Sequence, residues 1–106
     1  MLCLSSTATS QAQNFSQAQQ NAMNHVAQVF AASTECPEYQ ANTARLAIIG
    51  MVHNFSINDE NVQAFVIAKM KEHQAGLTVA GAAGCLVAWA LYGPGGQNVP
   101  HLLSRR

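Results

Sequence analysis

Two kinds of side chain in this sequence could do chemistry, the three cysteines and the four histidines, and their spacing limits what that chemistry is. Cys36 and Cys85 lie 49 residues apart, and neither has a second cysteine close by, so no paired-cysteine metal or redox motif is present. Two uses remain for them: a bridge between two elements, or a pair of buried thiols packed as small apolar groups. His25, His53, His73 and His101 fall one to a segment, with no pair at the four-residue spacing that puts two zinc ligands on one helix face. A cysteine working with a distant histidine would be a nucleophile pair, but no local motif marks either partner. Gly76, Gly81 and Gly84 follow no strand and so do not make a phosphate-binding loop. The residues therefore predict no enzyme, no catalytic residue, no cofactor and no metal. Asn14-Phe15-Ser16 and Asn54-Phe55-Ser56 match the short glycan-acceptor pattern and are read as chance matches.

The elements that carry these residues are unusually neutral. Of the 106 residues, 49% are hydrophobic and 9% charged, against about 25% charged in an ordinary soluble domain. Five basic and five acidic residues cancel, which leaves no basic stripe for a phosphate backbone and argues against nucleic-acid binding. Neutral surface is the property of a protein interface or of a lipid contact. The expected partner is another protein. A chain of this size leaves more apolar surface than one core covers, so a two-fold homodimer is also expected.

Residues 1–12 read as the end of a truncated secretion leader, with apolar Leu2, Cys3 and Leu4 followed by Ser10-Gln11-Ala12 as a cleavage pattern. Loss of that leader removes Cys3 and leaves an even pair, which favours the bridge Cys36–Cys85 and a periplasmic or secreted location. A cross-link closing a loop of this length stabilises by about 4 kcal/mol in the chain-entropy model.

Hydrophobic periodicity then predicts one all-α domain over residues 13–94, a small orthogonal or bundle-like array of about four helices, and an irregular tail over 95–106. Phe15, Ala22, Val26, Val29 and Phe30 recur at helical spacing within a first helix from Gln11 to Ala32, broken at Ser33 to Cys36. Pro37 suits the first turn of a second helix reaching about Asn54, whose wide apolar arc (Leu46, Ile48, Ile49, Met51, Val52) suggests the central position. A third helix starts after Asn58, buries Val62, Phe65, Val66 and Met70, and stops at Gly76. Thr78 caps a fourth, which ends at Gly93-Pro94.

From Ala75 to Gln97 no residue is charged, and Ala80, Gly81, Gly84 and Cys85 make a smooth strip. Ala80, Gly81 and Gly84 are therefore expected to pack closely against another helix, with Leu46, Ile49 and Met51 of the second helix as the facing residues. The competing reading is a membrane span over about 76–92, with Trp89 and Tyr92 at its interfacial end, in a single-span accessory subunit of a membrane complex.

The stretch Ile57 to Pro94, with Val62-Gln63-Ala64-Phe65-Val66, Lys71-Glu72-His73, Leu77, and Ala82-Ala83 through Val87-Ala88, resembles the C-terminal half of periplasmic immunity proteins that neutralise type VI secretion amidase effectors. That similarity spans about a third of the chain. In size and cysteine spacing the chain also resembles the HdeA family of periplasmic acid-stress chaperones. Both resemblances imply an exported helical domain that binds another protein and carries a disulfide, and neither supplies functional residues beyond Cys36 and Cys85.

Overall fold

The computed structural model describes residues 15–106; the leader expected over residues 1–12, and the start expected for the first helix, lie outside the described residues. Among the described residues the chain is mainly helical, with four helices, a two-stranded antiparallel ribbon and one disulfide. Helix α1 spans Gln17–Glu35, strand β1 Tyr39–Ala41, α2 Thr43–Val52, α3 Glu60–Ala80, α4 Ala82–Tyr92 and strand β2 Leu103–Arg105.

Helix α1 begins where Ser16 accepts the Gln19 amide on its hydroxyl while the Gln19 side chain accepts the Ser16 amide, a reciprocal cap that satisfies two otherwise orphaned donors. Beyond it, Ala22, Met23, Val26, Ala27, Val29, Ala31 and Ala32 are all buried. Alanines on several faces let neighbours approach α1 from all sides, and α3, β1, α2 and α4 each pack against it. The central helix is thus the first one and not the second. In α2 only Leu46 and Gly50 are buried, and Ile48, Met51 and Val52 remain exposed.

Helix α1 also runs on to Glu35, through the expected break. Pro37 does not start a helix. It sits in a turn closed by the Tyr39 amide donating to the Cys36 carbonyl, after which the chain extends as β1. Strand β1 pairs with β2 in the register Tyr39 to Arg105, Gln40 to Ser104 and Ala41 to Leu103. A two-stranded ribbon is marginal in water by itself, and this one is held because Tyr39, Leu102 and Leu103 are buried in the core. Within the expected tail, residues 95–102 are irregular but tied to the fold, and Leu103–Arg105 form β2. Amides of Asn98, Val99, His101 and Leu102 bond to the end of α4 and its cap, and Arg106 reaches back to the Pro37 and Ser33 carbonyls near the end of α1, where positive charge is favoured.

The start of α3 is set by Asp59, one residue later than the expected Asn58, with its carboxylate accepting the Asn61 and Val62 amides. Val62 and Val66 are buried, whereas Phe65 is only partly so, its ring meeting Phe15 edge-on at 5.9 Å between centroids. A full core role for Phe65 is therefore not what the fold uses.

Gly76 does not stop α3, and Thr78 does not cap a new helix: its hydroxyl bonds back to the Gln74 carbonyl and leaves the helix intact. The break comes at Gly81, whose φ of +62° is the left-handed region that L side chains rarely adopt. That break divides the uncharged run in two. Among the described residues no helix is long and apolar enough to cross a membrane.

Candidate functional site

Cys36 ends α1 and Cys85 lies in α4, and the two are bridged, with Cα atoms 5.9 Å apart. Cys36 is fully buried and Cys85 partly exposed. Ala80, Gly81 and Gly84 do come together, but at the corner between α3 and α4 and not against α2. A Cβ on Gly84 would meet Leu77 Cδ2 at 2.9 Å and Ala80 Cβ at 3.0 Å, while one on Gly81 would project into open space, and Ala80 is exposed. The strip of small residues lets α4 fold back tightly on the end of α3. Leu46, Ile49 and Met51 have no part in it.

Between α1, α3 and α4 lies a cleft of about 340 Å³. Leu77, Ala80, Val87 and Leu91 make its apolar wall, and Gln28, His73 and Tyr92 its polar end. The same corner presents Val79, Leu86 and Val87 to solvent, with fractional exposures of 90%, 68% and 58%.

The polar end is organised by Tyr92, whose ring is buried while its hydroxyl reaches three partners. The hydroxyl donates to Gln28 Oε1, so its oxygen is left to accept from His25 Nδ1 at 2.7 Å and from Asn98 Nδ2 at 3.5 Å. This assignment puts the His25 proton on Nδ1. His73 donates from Nε2 to Asn24 Oδ1 at 2.8 Å, a second polar tie between α3 and α1. Burial pushes the Tyr92 phenol above its usual value, partly offset by the bond from Asn98. His25 lies below the ordinary 6.5, first because of burial and then because of nearby His53. His73 is also lowered, first by burial, with Glu72 opposing that shift and Lys69 adding to it.

These shifts have a sign for stability. A histidine with a lowered folded-state pKa binds fewer protons folded than unfolded, so the folded form loses ground as pH falls below about 6.5 and the loss is complete below the folded value. The urea midpoint should fall between pH 7.5 and pH 5. His25→Gln combined with His73→Gln should flatten that dependence, and an unchanged pH profile in the double variant would place its origin elsewhere.

A second cluster joins the strands to α4. Tyr39 and Trp89 stack with centroids 4.9 Å apart at 22°, and the Arg105 guanidinium lies 4.8 Å from the Trp89 centroid and 5.9 Å from that of Tyr39. Such a cation over aromatic faces helps hold the C-terminal strand in place.

Neither the Tyr92 network nor the Tyr39, Trp89 and Arg105 stack was evident from spacing, because their members are tens of residues apart. One signal was available: His25 and Gln28 stand three apart within an otherwise apolar stripe of α1, the spacing at which two polar groups share one helix face. Among the described residues no three His, Cys, Asp or Glu side chains cluster as a metal site.

Comparison with protein-family models, with curated proteins and with solved structures returns no match for the chain.

Proposed function

We propose that the chain is an exported, non-enzymatic helical domain that binds another protein through the corner where α3 meets α4. The observation that carries this reading is the exposure of Val79, Leu86 and Val87 within one stretch of sequence without charge. Exposed aliphatic groups on uncharged surface are the usual content of an interface core, where charge is depleted. The bridge between Cys36 and Cys85 supports an oxidising compartment, since structural disulfides persist there and are rare in a reducing cytosol. The polar groups around Tyr92 support a structural and not a catalytic use, because they bond one another and no side chain among them is a free nucleophile.

An immunity-type inhibitor of a secreted effector would hold one protein on this face. A periplasmic chaperone would use it less selectively, and a homodimer would cover it with its own copy. Placing a photo-reactive amino acid at Val87, and for control at exposed Lys71 on the charged part of α3, tests the reading in cells of the source organism. A discrete polypeptide adduct is expected from Val87, absent from Lys71 and lost when Val79 and Leu86 are both changed to Asp. Equal labelling from the two positions, or lipid adducts alone, would overturn it.

A further inference from the structure

The α3–α4 corner packs partly on itself and partly, through Leu77 and Cys85, against the core. Gly84 fits against Leu77 and Ala80, Gly81 at the apex has open space around it, and α4 starts with no side-chain cap. Between this corner and the end of α1, Thr78 Oγ1 shares its one proton between the Gln74 carbonyl and Glu35 Oε1, the latter at 3.1 Å, and Gln74 Nε2 donates to Thr34 Oγ1 at 2.9 Å, both at exposed positions. The covalent tie is the disulfide. By contrast the other end of α4 is held firmly, by buried Tyr92 on Gln28, by Trp89 on Tyr39 and by the backbone bonds of the loop that follows. A second cleft, of about 540 Å³, opens beside the bridge, and Cys85 lines it together with Glu35, Glu38, Leu77, Thr78 and Leu86, whereas Cys36 does not.

We propose that the disulfide is a reducible latch, attacked at Cys85 through this cleft, whose opening frees the α3–α4 corner while the rest of the fold stays intact. The chemistry balances with a dithiol as reductant. One thiolate of the dithiol bonds to Cys85 Sγ as the bond to Cys36 breaks; Cys36 Sγ leaves with the electron pair and takes a proton from water. The second thiolate then bonds to the first sulfur of the dithiol and expels Cys85 in the same way, so the protein gains two thiols and the reductant becomes a disulfide. Attack falls on Cys85 because that residue lines the cleft and is partly exposed, whereas Cys36 is fully buried. The freed segment is the corner, since two exposed hydrogen bonds are a weak hold once the cross-link is gone. Opening would uncover Leu77 and the Cys36 side of the core, and so change the apolar surface the domain offers. The latch does not depend on the proposed protein binding.

Its test has two readouts on the purified, oxidised chain. Brief treatment with 2-mercaptoethanol, a monothiol whose mixed disulfide persists until a second molecule attacks it, followed by acid quench and mass spectrometry, should find the adduct on Cys85; an adduct on Cys36 would overturn the route. Amide exchange should then compare the oxidised protein, the protein reduced with dithiothreitol, and the Cys36→Ser/Cys85→Ser double variant. On loss of the bridge, exchange over residues 77–86 should become about 100-fold or more faster than exchange over 22–32 and 62–70, which should quicken only as far as the loss of global stability requires. Loss of protection in every helix, failure of the double variant to fold, or an unchanged corner would each overturn the latch.

Discussion

Tyr92→Ala should destabilise the protein by about 3 to 5 kcal/mol, the range seen when a large buried aromatic side chain is truncated. The ring is almost fully buried against the core, and its hydroxyl is the shared partner of Gln28, His25 and Asn98. Truncation therefore leaves a cavity and also takes a partner from His25 and Gln28, which are partly buried. Chemical denaturation checks this, with the size of the shift in midpoint as the readout. Tyr92→Phe separates the two contributions, since it keeps the ring and removes only the hydroxyl; a cost of about 0.5 to 1.5 kcal/mol is expected from losing hydrogen bonds to partly buried partners. If Tyr92→Phe is as stable as the parent, the hydroxyl network contributes nothing and only packing matters. A cost below about 1 kcal/mol for Tyr92→Ala would contradict the burial of Tyr92.

Removing the bridge by Cys36→Ser and Cys85→Ser should lower global stability by about 4 kcal/mol, because a loop of 49 residues regains its freedom in the unfolded chain. Against a total of about 5 to 15 kcal/mol for a typical domain, that is a large loss but not a complete one. The folded state should persist at moderate temperature. Thermal and urea unfolding of the double variant measure the effect. A stability equal to that of the oxidised parent would mean that the bridge constrains neither the unfolded chain nor the native corner.

The cost of Tyr92→Ala and the cost of losing the bridge concern different ends of α4. Tyr92 anchors its C-terminal end to α1 through side-chain contacts, and Cys85 anchors its N-terminal half covalently. The two effects should be close to additive if the ends act independently, and a coupling above about 0.5 kcal/mol in the combined variant would show that α4 moves as one rigid unit.

What the sequence by itself determined was set by local periodicity and by residue type. The helical class follows from apolar spacing, and the helix ends at Tyr92 and near Asp59 follow from Gly93-Pro94 and from the acidic start Asp59-Glu60. The Cys36–Cys85 pairing was expected from counting, on the expectation that Cys3 leaves with a leader, and the bridge is present. Tertiary structure decided the rest. Apolar content alone suggested α2 for the centre, but a helix is central when neighbours can approach it from several sides, and the alanines of α1 permit that where the large side chains of α2 do not. Gly76 and Gly81 look equally able to end a helix, and the choice between them depends on where α4 must turn back on Leu77 and Ala80, a contact that no local window contains. The last residues carry too little periodicity to be read as a strand. They become one because Leu102 and Leu103 find a place in the core beside Tyr39, which lies more than 60 residues earlier in the chain, and a short ribbon takes its stability from that burial and not from its own propensity.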